Sequence, residues 1–288
     1  MQEEKYYTCR NDKAFKYLFL DETNKHILKE LLESILQEKI TNITLLPTER
    51  IENTLKTRNK TVDALVEIND EIIEIEINST DYIGLRPRNM AYISNIYSSY
   101  TEKGNEYTED ELILQINLTY EMMYKKNKEE IDNKKIREYY MQDEDGKRYV
   151  KNLKIIEINM DYFVNLWYTK NKSEIEKYKY LIMLDLKEED LKKLSKEDRV
   201  VEEYMDKLNG LNKDPIFKKL MTDEEDRKKY ENTIRRNAKE EGINERNIEI
   251  AKKLLSKGIY SKEEISDITG LSVEEISKIK EEINREND

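Results

Sequence analysis

Between Lys60 and Asn78 the chain reads KTVDALVEINDEIIEIEIN, which crowds Asp63, Glu67, Glu74 and Glu76 into one short stretch. Carboxylates are hard oxygen donors. Two of them on neighbouring strands, with a backbone carbonyl, suit Mg²⁺, which takes one or two carboxylates and completes its shell with water and phosphate. The elements that would position these acids are legible. Val62–Ile68 and Ile72–Asn78 alternate apolar and other residues, which predicts two strands. Asn69 and Asp70 suit a two-residue turn. Ile68 then pairs with Glu71, and Asp63 falls directly opposite Glu76. Val62, Ala64, Val66 and Ile68 share one face with Ile73, Ile75 and Ile77. The other face carries Thr61, Asp63, Leu65 and Glu67 against Ile72, Glu74, Glu76 and Asn78, with no basic residue among them.

Like charges opposite one another on paired strands repel by about 0.2–1 kcal/mol. A sequence tolerates that in two ways. Either the acidic face of the hairpin is solvated, or a cation lies between the acids. The second reading demands that Asp63 and Glu76 converge on one face. It falls if the two lie on opposite sides of the sheet, or if a neighbouring Lys or Arg ties up either one.

Two counts narrow the chemistry. Cys9 is the only cysteine and His26 the only histidine. Intramolecular disulfides, cysteine-based zinc sites and histidine-dependent triads are thereby excluded. His26 reads as a surface or packed residue, since a lone histidine has no companions for a metal site. The charge is 51 − 62 = −11 across 288 residues. That argues against broad nonspecific nucleic-acid binding and leaves room for a local basic groove. No apolar run approaches the ~20 residues of a membrane span. MQEEKYYTCR has no apolar segment of a secretory signal. The expectation is a cytoplasmic protein that does not engage a membrane.

Along the chain, Asp12–Gln37 reads as helical, with Asp21 or Thr23 as cap of its second part. Asp12 shares the face of Phe15 and Phe19, either as an acid with a partner or as the N-cap of the first helix. Ile43–Glu52 reads as a strand and connector, followed by the basic Lys56, Arg58 and Lys60. Arg86 and Arg88 precede a helix over Met90–Tyr100, whose Tyr92, Ile93, Ile96, Tyr97 and Tyr100 form a stripe expected to pack inward. Gly104 suits the end of that helix. Leu112–Tyr120 and Leu153–Met160 read as strands. Lys125–Lys151 is polar, with DEDGK as a turn. Tyr162–Trp167 and Tyr178–Leu184 read as core helices. Charged helices follow over residues 187–230, with an apolar stripe of Ile216, Phe217, Leu220 and Met221. Composition changes near Thr233. SKEEISDITG followed by LSVEEISKIKEEI has the length and turn of a helix-turn-helix. Its second helix opens with Glu274 and Glu275, whereas groove-reading helices bring Arg, Lys, Asn or Gln to base edges. Self-association through these helices is the alternative. The expected division is 1–185 core, 186–232 charged helical extension and 233–288 helical tail.

The order of helix with an acid, strand, hairpin with D…E-x-N, arginine-bearing helix and strand resembles the PD-(D/E)XK nuclease core. More narrowly it resembles the Rpn family of recombination-promoting nucleases and transposases. NDKAFKYLF is similar to that family's opening D-x-x-F-K-x-L-F and places Asp12 at its helix acid. VDALVEINDEIIEIEIN is similar to its D…I-E-I-Q hairpin and places Asp63 and Glu76 at the metal acids. RNMAYISNIY resembles its R-x-x-x-Y helix at Arg88 and Tyr92, and KGNEY its G-x-x-Y at Gly104 and Tyr107. The resemblance covers residues 10 to about 185 and, loosely, the tail. Most nucleases of the superfamily have Lys two residues after the Glu, and the Rpn branch usually has Gln. Here the residue is Asn78, and the hairpin turn is shorter than usual.

The resemblance implies an α/β protein: a restriction-endonuclease-like core, with a mixed central sheet flanked by helices, and an α-helical C-terminal appendage. It implies a DNA endonuclease using Mg²⁺, with Mn²⁺ as a substitute. Asp63, Glu76 and the Ile77 carbonyl would hold the ion, and Asp12 a second ion or a bound water. Asn78 would orient a water or phosphate oxygen, and Arg88 with Tyr92 would meet the DNA. Two other readings compete. Asn78 and the negative charge suit a nuclease fold that has lost turnover and serves as a DNA- or protein-binding module. The C-terminal helices suit a DNA-binding regulator.

Overall fold

In the computed structural model the described residues are 5–48, 62–69, 71–101, 112–121, 135–169 and 171–286. Thr61, Lys56, Arg58, Lys60, Asp70, Gly104 and Tyr107 lie outside them, as do Glu49 to Glu52 of the first connector and Lys125 to Lys134 of the polar stretch. The chain divides into two compact units, Met1–Asp214 and Pro215–Asp288.

The first unit is built on a six-stranded mixed sheet in the order β1-β2-β3-β4-β6-β5. The strands are β1 Ile43–Leu45, β2 Ala64–Ile68, β3 Glu71–Asn78, β4 Ile113–Thr119, β5 Ile136–Tyr139 and β6 Leu153–Asn159. β1, β2 and β3 pair antiparallel. β4 runs parallel to both β3 and β6, and β5 closes the edge antiparallel to β6. The hairpin register is the expected one, Ile68 opposite Glu71 and Ala64 opposite Ile75. Asn69 makes the turn at φ 48°, a left-handed conformation that asparagine tolerates.

Helices flank this sheet. They are α1 Asp12–Phe19, α2 Lys25–Leu36, α3 Leu85–Thr101, α4 Met160–Leu166, α5 Lys172–Ile182, α6 Glu188–Leu194 and α7 Arg199–Lys213. α3 covers the sheet face of Leu65, Ile72 and Ile113 with Ile93 and Ile96, and Tyr92, Tyr97 and Tyr100 pack beside them. The stripe packs inward as its spacing predicts, with Ile93 and Ile96 buried and the tyrosines half-buried beside them. α1 and α4 pack on β3 and β4. Val66, Ile68, Ile73, Ile75, Leu114, Ile116, Leu118, Ile156 and Ile158 are all buried, as expected of strands with covered faces.

Several expectations change. The cap of α1 is Asn11, whose side chain accepts from the amides of Lys13 and Ala14. Asp12 is therefore the first helical residue and not an N-cap. Asp21 caps a short 3₁₀ turn, Glu22–Asn24, and α2 starts after Asn24 with no side-chain cap. α3 begins at Leu85, so Arg86 and Arg88 lie within it. Pro87 fits because the first-turn amides have no intrahelical partner to lose. Val62 packs with Leu65 and Ile72 and not on the face of Ala64, because the ladder stops at Ala64 and the chain bends at Asp63. β5 lies in the stretch read only as polar. It is an edge strand with Glu138 and Tyr139 exposed, and exposed edges tolerate charge.

The expected boundary at 185 also shifts. α7 belongs to the first unit. Its Tyr204 is buried, with its ring 6.1 Å from that of Phe19 on α1. Hydrophobic spacing, masked by a high charge content, carries that packing. The boundary expected near 233 falls inside one continuous helix, α8 Pro215–Lys257. Of the stripe at its start Phe217 and Met221 are buried, whereas Ile216 is exposed. The second unit continues with α9 Lys262–Thr269 and α10 Val273–Glu286. Ala251, Ile265, Leu271, Ile276 and Ile279 form its core. Ser261 and Glu264 make a capping box at the start of α9, and Gly270 ends that helix at φ 70°, a left-handed position where glycine avoids a Cβ clash. No described helix is long and apolar enough to cross a membrane.

Candidate active site

The hairpin brings its acids together. Asp63 stands one residue beyond the last ladder pair, Ala64 with Ile75. Its amide donates to Glu76 Oε1 at 3.3 Å, and its Oδ2 accepts from the amide of Ile77 at 2.9 Å. Of Ile77, it is the amide that meets Asp63. The acidic face is not solvated. Asp63, Glu74 and Glu76 are 7%, 0% and 2% exposed, which removes the solvated-hairpin explanation for them.

Convergence is therefore met. The demand that neither acid be claimed by a basic residue is not. Lys16 Nζ of α1 lies 2.8 Å from Asp63 Oδ1. Arg88 Nη2 of α3 lies 3.2 Å from Glu76 Oε2. Each acid is tied up by a basic residue, which counts against the metal-site expectation. Buried carboxylates this close must be neutralised by protons, by side-chain cations or by a metal. Lys16 and Arg88 are the side-chain cations that meet these two acids.

Burial, then Asp63 and Glu74, push the Glu76 carboxyl up to about 9. Burial raises Glu74 to about 8, against the bond from Gln115. Asp63 is also raised by burial, with Lys16 and the Ile77 amide opposing. Lys16 is held above its usual value because Asp63 outweighs the burial that opposes it. For all three acids burial is the largest cause: it favours the neutral, protonated form, and neighbouring carboxylates add to it.

Asn78 has both ends engaged. Its Oδ1 accepts from Arg88 Nη2 at 2.7 Å, and its Nδ2 donates to Thr119 Oγ1 at 3.3 Å. Arg88 also donates from Nε to Asn89 Oδ1 at 3.3 Å and lies 5.5 Å from the centre of the Tyr92 ring. Asp12 sits one helical turn before Lys16, and its charge is felt at both Lys16 and Asp63.

Sequence reasoning missed the floor of the pocket. Gln115 Nε2 donates to Glu74 Oε2 at 2.8 Å and to the Asn89 carbonyl at 2.9 Å. Asn117 Nδ2 donates to Gln115 Oε1 at 3.2 Å, and Asn89 Nδ2 to Asn117 Oδ1 at 2.9 Å. Parallel pairing sets Gln115, Asn117 and Thr119 beside Glu74, Glu76 and Asn78. The signal was present, since LILQINLT alternates polar residues that an outer face did not need. Lys16 lies within NDKAFKYLF, where spacing alone assigns it no role. Farther along, Arg86 Nη2 meets Glu157 Oε1 at 3.0 Å and its Nη1 meets Asp81 Oδ1 at 3.3 Å.

Among the described residues no three His, Cys, Asp or Glu side chains are grouped to hold a metal. The donors are two carboxylates at the end of a hairpin. That set fits Mg²⁺, which keeps several waters and leaves positions for phosphate, better than a metal needing an all-protein cage. Asp63 and Glu76 are thus a buried acid pair, in contact with Lys16 and Arg88. The family model of the PD-(D/E)XK nuclease family transposases matches residues 9–241. The chain belongs to that family, and its sheet is the restriction-endonuclease-like α/β core with a C-terminal helical region. No curated protein and no solved structure matches the chain.

Proposed function

We propose that this protein is a divalent-metal-dependent DNA endonuclease of the transposase type. The observation that carries the reading is the burial of Asp63 and Glu76 side by side, with Glu74 buried on the same strand, Lys16 paired with Asp63 and Arg88 with Glu76. Such an excess of buried acid is costly unless it serves a cation.

Asp63 and Glu76 would hold the ion, Mg²⁺ or Mn²⁺, together with the Ile77 carbonyl. When bound, the ion supplies an acidified water and charge stabilisation at the scissile phosphate. Every other part is played by the chain. The Ile77 amide fixes the orientation of Asp63. Asn78 and Asn89 fix the guanidinium of Arg88 beside Glu76. From there Arg88 pairs with a phosphate oxygen of the DNA, with Tyr92 under its guanidinium. Asn78 acts in this reading by holding Arg88. Asp12 adds negative charge beside Lys16 and serves a second ion or a bound water.

A plasmid-nicking assay with Mg²⁺ and Mn²⁺ tests this. Wild type should nick supercoiled DNA, and Asp63→Ala and Glu76→Ala should each lose that activity while keeping wild-type circular dichroism. Unchanged cleavage by Asp63→Ala would refute the site.

The ion pairs of Lys16 with Asp63 and Arg88 with Glu76 favour a second reading, a nuclease fold without turnover that acts as a DNA- or protein-binding module. Calorimetry with Mg²⁺ or Mn²⁺ separates the two. Binding lost in Glu76→Gln supports the enzyme, and no binding by wild type supports the module.

A further inference from the structure

We propose that Lys16 is a working residue of the site: it neutralises Asp63 when no metal is bound and moves to a DNA phosphate when metal takes its place. This rests on the metal-site reading above.

The two cations of the pocket are held very differently. Arg88 is fixed by Glu76, Asn78 and Asn89, with Tyr92 beneath it. Leaving Glu76 would strand the Asn78 oxygen, which is buried with its residue only 3% exposed. Lys16 has Asp63 as its hydrogen-bond partner, through Oδ1. The other oxygen of Asp63 is committed to the Ile77 amide. Oδ1 is thus the atom of Asp63 that an incoming cation must share, and Lys16 is the group it must displace.

Lysine suits such an exchange. Its ammonium is a compact point charge on a flexible stem, whereas arginine binds through a rigid fork. The Lys16 side chain is 30% exposed, so a released ammonium can reach solvent beside the acids. The backbone beneath it does not need to move. Asn11 caps the helix, and Ala14, Phe15, Leu18 and Phe19 anchor α1 in the core. Asn78 carries no charge, so the mobile cation of this site comes from α1 and not from the end of β3.

The consequence is that Lys16 opposes metal binding and favours DNA binding, an antagonism a purely structural ion pair would lack. The first arm titrates Mn²⁺ into wild type, Lys16→Met and Lys16→Arg. Lys16→Met should bind roughly tenfold tighter or more, since a competing charge is gone, and Lys16→Arg should stay near wild type. The second arm measures binding of a short labelled DNA duplex by anisotropy over a range of salt, in Ca²⁺ and in EDTA. In Ca²⁺, Lys16→Met should lower the salt slope by about one counterion, and Lys16→Arg should restore it. In EDTA the slope should not depend on residue 16. Mn²⁺ affinity equal to or weaker than wild type in Lys16→Met overturns the proposal, as does an unchanged slope in Ca²⁺. Should Lys16→Met fail to fold, Lys16→Gln is read by the same criteria. If wild type itself binds no Mn²⁺, the metal-site reading falls and takes this one with it. If wild type binds and the variants do not differ, only the role of Lys16 falls.

Discussion

Arg88 Nη2 donates to Asn78 Oδ1 at 2.7 Å while lying 3.2 Å from Glu76 Oε2. The asparagine is thus an adaptor. Where most relatives in the superfamily carry a lysine on the strand, this chain uses a neutral side chain to hold a guanidinium from the neighbouring helix. Asn78→Ala removes a buried bond to a charged group and leaves Thr119 without that partner. The expected cost is about 1–3 kcal/mol, measured as a lowered urea midpoint at unchanged m value. A midpoint equal to wild type would show that Arg88 does not depend on Asn78.

Glu74 gives a pH prediction. Burial lifts its carboxyl to about 8, and its Oε1 has no hydrogen-bond partner among the described residues. The folded value lies above the unfolded one near 4.5, so the folded state binds the extra proton between the two. Stability from this group is therefore full at acid pH and falls as pH rises toward 8. Glu74→Gln removes the ionisation and keeps an acceptor for Gln115. Relative to wild type, the variant should gain about 1–3 kcal/mol on going from pH 5 to pH 9. Parallel urea curves at those two pH values check this, and a constant difference would reject it.

Metal binding should be linked to protons. Carboxylates bind an ion only when deprotonated, and burial with Asp63 and Glu74 holds Glu76 at about 9 without one. Mn²⁺ affinity should rise steadily from pH 6 to pH 9, and the calorimetric heat should change with the ionisation enthalpy of the buffer. Heat that is the same in every buffer would mean the acids are already ionised.

Asp198 offers a control remote from the site. Its side chain caps α7 through the amides of Val200 and Val201, and it lies 2.7 Å from Lys179. Burial opposes ionisation, but Lys179 and the Val201 amide outweigh it and hold the carboxyl below its usual value. The sign is opposite to that of Glu74. Its stabilisation is present above pH ~4 and lost as pH falls through the folded value. Asp198→Ala should cost about 1–2 kcal/mol at pH 7 with nicking unchanged. Loss of nicking at full stability would be unexpected.

The C-terminal helices carry a negative prediction. α10 begins with Glu274 and Glu275 in its first turn, where a DNA-reading helix needs donors for base edges. A fragment from about residue 240 should shift no DNA at low salt. A shift that salt abolishes would revive the regulator reading.

Much of this protein is local in origin. The two strands of the hairpin and their register follow from alternation and from the short span between Ile68 and Glu71, because side-chain period and turn length together fix pairing. The start of α1, the stripe of α3 and the end of α9 at Gly270 follow likewise. The acids Asp63 and Glu76 could be named because they face each other across one turn. Even there, the bend that sends Val62 to the other cluster was invisible, since alternation cannot say where a ladder stops.

What the fold alone decided lies between segments distant along the chain. Lys16 reaches Asp63 from α1, and Arg88 reaches Glu76 from α3. Gln115 and Asn117 line up with Glu74 and Glu76 through a parallel pairing that requires a long crossover. No local pattern encodes such contacts, because parallel register is set by packing of the crossover helix and not by a turn. The chain's own order of residues therefore determined that there would be an acid pair. Only the tertiary structure decided that the pair is buried, and which cations hold it.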